Sequence, residues 1–182
     1  MNYPDSVQFL YALGNEIKTA KLGLDRIRAV LDALGRPQDR CRFVHVAGTN
    51  GKGSTSAMIE SGLRAAGLRT GLFTSPHLSQ PTERIRIQGE PISADAFAAR
   101  FDRVHAAVED LLRSGSIDLH TTYFETVTAM ALEAFAIRLA PYEVNRSRFF
   151  SLISNIVCCD YFGHDIFLNT ESKKFNAGSN FT

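Results

Sequence analysis

One stretch of the chain carries the residue types that bind phosphate. An apolar, β-branched run that begins at Phe43 leads into Gly48, Gly51, Lys52 and Gly53, and small hydroxyl residues follow. The first run is typical of a buried parallel strand, and the last predicts the start of a helix. Backbone N–H groups, a helix dipole and a lysine meet at such a junction, and glycines let an anion approach the main chain. We therefore predict an anion-binding loop.

The spacing of this loop differs from the P-loop formula. That formula places four residues between its first glycine and Gly-Lys, and a hydroxyl directly after the lysine. Here two residues separate Gly48 from Gly51, and Gly53 intervenes before Ser54. The plainer interpretation is a glycine-rich turn with a surface lysine. The strand–loop–helix context favours phosphate binding over that interpretation.

The elements around the loop predict its place in a fold. A crossover helix is expected from Ser54 to about Ala66, and a second parallel strand from Arg69 to Thr74. The order strand, loop, helix, strand puts the loop at the carboxyl end of a parallel sheet, where ligands bind in such folds. The predicted fold class is α/β, a P-loop-type parallel sheet flanked by helices.

Helical periodicity predicts two helices before the loop, over residues 5–19 and 24–34. The second is expected to end at a Gly35 cap, with Pro37 blocking its continuation. Beyond the second strand, residues 83–88 alternate as in a half-buried strand.

Ser93 is expected to cap a long helix that ends near Arg113. His105 lies beside the apolar stripe of this helix. Because no ligand partner was found at matching spacing, we interpret it as a packing or surface histidine.

Composition excludes several classes of protein. The chain has 182 residues, of which 45% are hydrophobic and 21% charged, values typical of a globular protein with a real core. A net charge of +1 argues against a nucleic-acid partner, and no apolar run approaches the ~20 residues of a membrane span. The three cysteines have no metal or disulfide spacing, and the first residues do not look like a secretory signal. The expected compartment is the cytoplasm, and the expected state is a monomer.

Three motifs in order resemble a known family. The loop Gly-Thr-Asn-Gly-Lys-Gly-Ser resembles the ATP loop of the Mur ligase superfamily and, within it, that of folylpolyglutamate synthase and dihydrofolate synthase. Thr74-Ser75-Pro76-His77-Leu78 is similar to the signature after the second strand of this family, and residues 83–93 are similar to its next segment. The resemblance covers about residues 22–136.

The resemblance implies ATP and Mg²⁺ as cofactors, with Lys52 as the catalytic residue. It implies that the nucleotide is bound by Gly48, Thr49, Asn50, Gly51, Lys52, Gly53, Ser54 and Thr55. The implied metal ligands are Ser75, Ser54 and Glu143, and the implied substrate-binding residues are Tyr123, Phe124, Glu125 and His77. Simpler roles stay open: Ser75 as a turn residue, His77 as a partly exposed loop residue, and Thr122 with Glu125 as a helix capping box.

The resemblance ends near Ile137. We therefore divide the chain into residues 1–137, an incomplete ATP-binding domain of the Mur ligase type, and residues 138–182, a divergent tail. The Glu-Val-Gly-Leu-Gly-Gly-Arg and Asp-Ala-Thr-Asn motifs of the family and its C-terminal ligase domain were not found. Two origins of the tail stay open, a frameshift or recombination near Ile137 and a diverged short protein.

The function implied by the resemblance is an ATP-dependent ligase that adds L-glutamate to a folate or pteroate carboxylate through an acyl phosphate. We expect the chain to be truncated and weak or inactive alone. Whether dihydropteroate or a reduced folate is the acceptor stays open. The alternatives are a catalytically dead fragment that binds nucleotide or pteridine, and a non-functional fragment that aggregates.

Overall fold

The computed structural model describes residues 1–13, 24–48 and 50–139, and the backbones of two further strands, 155–160 and 175–176. The helices are α1 (Tyr3–Ala12), α2 (Asp25–Ala33), α3 (Lys52–Ala65), α4 (Ala94–Arg113) and α5 (Tyr123–Leu139). The strands are β1 (Arg42–Ala47), β2 (Arg69–Phe73), β3 (Ile85–Ile87), β4 (Glu90–Pro91), β5 (Asn155–Asp160) and β6 (Phe175–Asn176). Two compact units are present, Met1–Gln38 with Ser93–Ala134, and Asp39–Ile92 with Phe135–Thr182.

The first unit is helical and packs α1 and α2 against α4. Its core is made of side chains that repeat at helical spacing, which is why the periodicity predicted these helices. The buried core residues include Leu10, Ile27, Val30, Leu31, Phe97, Phe101, Val104, Val108, Val127 and Met130. The Ser93 hydroxyl accepts a hydrogen bond from the Ala96 N–H at 3.1 Å, so the predicted cap of α4 is confirmed.

The boundaries of α1 and α2 follow from their caps. The predicted start of α1 at Asp5 is wrong, because the Asn2 side chain accepts a hydrogen bond from the Asp5 N–H and the helix begins at Tyr3. α1 ends at Ala12, and the predicted end near Thr19 lies outside the described residues. The Gly35 cap of α2 is confirmed, since this glycine has a left-handed φ of +79° just after the helix.

The second unit is built on one sheet with the strand order β4-β3-β2-β5-β1-β6. The neighbours β2 and β5, β5 and β1, and β1 and β6 run parallel, whereas β3 and β4 are antiparallel additions at one edge. Helix α3 connects β1 to β2 and packs on β1, β2 and β5. The predicted α/β class with a parallel sheet and flanking helices is therefore confirmed.

The predicted strand over residues 83–88 is only partly correct. Residues Pro81–Arg84 form a 3₁₀ helix, and the strand itself is limited to Ile85–Ile87. The reason is local, because the Glu83 carboxylate accepts hydrogen bonds from the N–H groups of Leu78, Ser79 and Gln80. These bonds lower the pKa of Glu83 and close a capping box before the strand begins.

The central strand β5 comes from the segment that we assigned to the divergent tail. It lies between β1 and β2, and its backbone pairs with both in parallel register. The predicted boundary between residues 137 and 138 stays a prediction.

Among the helices of the described residues, none combines the length and the apolar character needed to cross a membrane.

One glycine of the sheet is in close contact with α5. Gly71 lies in the middle of β2, and a Cβ atom built on it would be 2.6 Å from Cδ1 and 2.7 Å from Cε1 of Phe135. The Phe135 ring is fully buried and belongs to the same compact unit. The sheet therefore accepts this ring because position 71 has no side chain.

We expect Gly71→Ala to lower the free energy of unfolding by about 1–3 kcal/mol, since the new methyl group overlaps a buried ring. Gly62→Ala is the matched control, because Gly62 lies inside α3 and a Cβ atom added there would have no neighbouring atom within 4 Å. The Gly62→Ala substitution should raise the free energy of unfolding by about 0.5–1 kcal/mol. Urea unfolding measures both, and equal effects of the two substitutions would contradict the overlap.

Candidate functional site

The junction between β1 and α3 forms the predicted anion-binding loop. β1 ends at Ala47, and α3 begins at Lys52, two residues before the start predicted at Ser54. The N-cap residue Gly51 has a left-handed φ of +73°, a conformation in which a side chain is strained. This glycine turns the chain into the helix, so that Lys52 and Gly53 lie in the first turn.

Lys52 forms a hydrogen bond across the loop through its side chain. Its side chain is buried, with the residue only 6% exposed, and its Nζ donates a hydrogen bond to the Gly48 carbonyl at 2.9 Å. The ammonium group is therefore held across the loop, next to the N-terminus of α3.

The N-terminus of α3 has no acidic residue in its first turn, and Gly51 has no side chain that could cap it. The first intrahelical hydrogen bond of this turn runs from the Thr55 N–H to the Gly51 carbonyl at 2.9 Å. Ser54 is exposed at the same end of the helix. The positive end of the dipole, its amide groups and a lysine are thus gathered at one place, which is the arrangement that binds anions.

The structure brings most of the predicted nucleotide-binding residues together. Gly48, Asn50 and Gly51 are exposed at the loop, and Thr55 follows in the first turns of α3. Thr49 lies outside the described residues, as does the predicted metal ligand Glu143.

Arg84 organises the loop that follows β2. Its guanidinium donates from Nη1 to the Ser75 Oγ at 2.7 Å and from Nε to the His77 Nδ1 at 2.8 Å. A histidine that accepts at Nδ1 carries its proton at Nε2 when neutral. Burial and the Arg84 charge lower the pKa of His77, so the ring is neutral at pH 7. Sequence analysis missed this role, since Arg84 was assigned to a strand.

The sheet places the two loops at the same edge. Val46, near the end of β1, is level with Asp160 of β5, and Phe73, the last residue of β2, is level with Cys159. Because neighbouring strands lie about 4.8 Å apart, β1 and β2 are about 10 Å apart across β5. The anion-binding loop and the Ser75 loop therefore leave the sheet at nearly the same height.

The Glu125 carboxylate has structural partners in the helical unit. Its Oε2 accepts hydrogen bonds from the Thr122 N–H at 2.8 Å and the Thr122 hydroxyl at 2.9 Å, and the Thr122 Oγ1 accepts from the Glu125 N–H. The capping box interpretation is therefore confirmed. Arg26 adds an ion pair, with 2.7 Å between its Nη2 and the Glu125 Oε2. Nothing in the sequence pointed to Arg26 as a partner.

Two other predicted substrate-binding residues, Tyr123 and Phe124, lie next to this capping box in the chain. Tyr123 stacks on Tyr11, with ring centroids 5.8 Å apart and planes 6° from parallel. Phe124 is half-buried. Tyr123, Phe124 and Glu125 belong to one compact unit and His77 to the other. Their roles in substrate binding stay predictions.

We expect Arg26→Met to lower the free energy of unfolding by about 3–5 kcal/mol, because it leaves the Glu125 carboxylate buried without its cation. The matched control is Arg28→Met on the same helix, where the side chain is 53% exposed and its ion-pair distance to Asp25 is 4.0 Å. The control should change the free energy by less than about 0.5 kcal/mol.

Chemical denaturation of the two variants measures the difference. Adding Glu125→Gln to Arg26→Met should restore part of the loss, because the buried charge is removed. Equal stability of Arg26→Met and Arg28→Met would show that the ion pair does not hold α2 to α5.

Comparison with known proteins gives one consistent set of relatives. The chain is 41% identical over 135 residues to a probable bifunctional folylpolyglutamate synthase/dihydropteroate synthase of Haloferax volcanii, a match that covers 74% of the chain and 16% of that protein. It is 41% identical over 130 residues to the folylpolyglutamate synthase of Lacticaseibacillus casei, a match that covers 71% of the chain and 30% of that protein. No protein-family model matches the chain.

A solved structure agrees with these relatives. The complex of a folylpolyglutamate synthase with AMPPCP and folate superimposes with a TM-score of 0.73 at 36% identity, covering 87% of the chain and 35% of that protein. The chain spans less than a third of the length of the two curated relatives.

Proposed function

Because the chain is homologous to folylpolyglutamate synthases over 71% to 74% of its length, we propose that its loop at residues 48–55 binds ATP. We propose further that the chain supplies the nucleotide-binding part of a ligase that joins L-glutamate to a folate. The observation that carries the proposal is the Lys52 ammonium group, buried beside the N-terminus of α3 with its Nζ on the Gly48 carbonyl.

The loop suits a triphosphate for electrostatic reasons. Amide groups at the start of α3, which have no acceptor within the helix, are available to an anion, and the Lys52 charge is fixed by its hydrogen bond to Gly48. Such fixed donors stabilise charge on a phosphoryl group during its transfer without having to reorganise. Lys52 is therefore the residue to which we assign catalysis.

The ligase reaction proceeds in two steps. The folate carboxylate takes the γ-phosphoryl group of ATP, and ADP leaves. The amine of glutamate then attacks the acyl carbon, the amide bond forms and phosphate leaves. We propose that the loop residues act in the first step by holding the phosphates and by stabilising charge on the group in transfer.

Mg²⁺ fits the oxygen ligands that this unit offers, and it would neutralise charge on the phosphates when bound. Ser54 is exposed in the first turn of α3, and the Ser75 Oγ, which accepts a hydrogen bond from Arg84, keeps a second lone pair. We propose these two hydroxyls as ligands, with Glu143 as the carboxylate.

The acceptor, the compartment and the oligomeric state complete the proposal. We propose a folate or dihydropteroate as the acceptor, and we keep the substrate-binding roles predicted for His77, Tyr123, Phe124 and Glu125. The cytoplasm and a monomeric state, both expected from the sequence, stay predictions.

We expect Mg-ATP to bind the wild-type chain and to bind Lys52→Met about 10–100-fold more weakly, because the variant loses a charge-assisted hydrogen bond to phosphate. Isothermal titration calorimetry measures both affinities. The matched control is Arg113→Gln, which removes a positive charge from an exposed side chain of the other compact unit.

Adenosine serves as a second control, since it has no phosphate. Its binding should be unaffected by Lys52→Met. Equal ATP affinities of the wild type and Lys52→Met would show that this lysine does not bind phosphate.

A second assay separates a ligase from a protein that binds nucleotide alone. The purified chain is incubated with Mg-ATP, L-glutamate and either a reduced folate or dihydropteroate, and conjugates are detected by mass spectrometry. A glutamylated product with the wild type and none with Lys52→Met supports the ligase. ATP binding with no product in either mixture would favour the nucleotide-binding alternative.

A further inference from the structure

Two histidines and a glutamate meet in the helical unit. His105 and Glu109 lie one turn apart on α4, and His120 follows the helix in the chain. The Glu109 Oε1 is 4.0 Å from the His105 Nδ1 and 3.7 Å from the His120 Nε2, and the three donor atoms lie within 4.8 Å of one another. The sequence analysis found no ligand partner for His105 at matching spacing, whereas the structure places Glu109 and His120 beside it.

The two imidazole nitrogens that face Glu109 are buried and have no hydrogen-bond partner within the described part of the chain. These atoms are the His105 Nδ1 and the His120 Nε2. A buried polar atom without a partner costs free energy, so native proteins rarely keep one without a reason. Here two such atoms point at the same carboxylate, from distances too long for a hydrogen bond. A bound group between them would satisfy both.

The tautomer of His120 suits a metal ligand. Its Nδ1 lies 3.1 Å from the Thr121 carbonyl oxygen, which can only accept a hydrogen bond. The Thr121 hydroxyl also lies near this nitrogen, at the longer distance of 3.3 Å. In the tautomer that donates from Nδ1 to the carbonyl, Nε2 presents a lone pair to the cluster. A metal-binding histidine usually makes such a hydrogen bond from its other nitrogen, which fixes the orientation of the ring.

Aromatic rings hold the two imidazoles in place. Phe9 packs against both, with ring centroids 4.7 Å from His105 and 5.7 Å from His120. Phe101 stacks on His105 at 5.4 Å. The Glu109 side chain is 46% exposed, which leaves an entry path for an ion from the solvent. The nitrogen ligands are thus oriented by packing, and the exposed carboxylate has more room to adjust.

We propose that His105, Glu109 and His120 bind a divalent transition-metal ion, and that zinc is the ion that they fit. Zinc takes imidazole nitrogen at about 2.0–2.1 Å and carboxylate oxygen at about 2.0–2.2 Å, so donor atoms in a tetrahedral site lie about 3.4 Å apart. The three donor atoms lie within 4.8 Å of one another, so small movements of the exposed Glu109 side chain and of the two rings would bring them to that spacing. Two imidazoles exclude Mg²⁺ and Ca²⁺, which prefer oxygen ligands. Three protein ligands leave a fourth position for water.

The proposed site would join α4 to the segment that leads into α5. His105 and Glu109 belong to α4, and His120 lies three residues before α5 begins. A bound ion therefore stabilises the folded state of this unit, since the unfolded chain does not hold the three ligands together.

The test is a zinc titration of the full chain after removal of metal, in competition with a chromogenic chelator. We expect one zinc ion per wild-type chain and at least a tenfold loss of affinity in Glu109→Gln. The matched control is Asp110→Asn, which changes the neighbouring carboxylate of α4, 70% exposed and paired with Arg113. It should keep the wild-type affinity. Circular dichroism of both variants checks that they fold.

A second measurement identifies the ligands directly. In long-range ¹H–¹⁵N spectra of the wild type, added zinc should shift the signals of two histidines, one bound through Nδ1 and the other through Nε2. Three results would overturn the proposal: no zinc uptake by the wild type, equal affinity in Glu109→Gln and Asp110→Asn, or zinc shifts confined to other histidines.

Discussion

The hydrogen bond from the Lys52 Nζ to the Gly48 carbonyl is the interaction on which the predicted anion-binding loop depends. It places a cation at the N-terminus of α3, the helix end where the dipole already concentrates positive charge, and this proximity is unfavourable. Burial adds a desolvation cost to the same group. An anion bound at this junction, as proposed, would offset both costs by neutralising the repulsion.

The sheet places the loop that follows β2 at the same edge as this junction. β5 separates β1 from β2, and the pairings of Val46 and Phe73 with adjacent residues of β5 bring both strands to the same edge. The sequence predicted β1, α3 and β2, because each has its own local pattern of apolar residues. It did not predict that a strand from residues 155–160 lies between them. Strand order depends on pairing between segments that are distant in the sequence. The local spacing of apolar residues carries no information about that pairing.

The same limit explains which contacts of the candidate site were predictable. The Thr122–Glu125 capping box spans three residues and follows a known local pattern, so the sequence revealed it. The partner Arg26 is 99 residues from Glu125, and nothing in the pattern of either segment connects them. Arg84 likewise lies in an alternating run that we predicted to be a strand, so its contact with Ser75 was not expected. In the structure its buried guanidinium donates a hydrogen bond to the Ser75 Oγ.

The contacts of Glu125 also decide how a ligand could use it. A carboxylate has about four lone-pair sites on its two oxygens. Oε2 accepts from the Thr122 N–H and hydroxyl and from two nitrogens of Arg26, whereas Oε1 accepts from the Arg26 Nε alone, at 3.2 Å. An incoming N–H donor would therefore bind at Oε1. Capping and ligand binding are compatible at this residue, because they would use different oxygens.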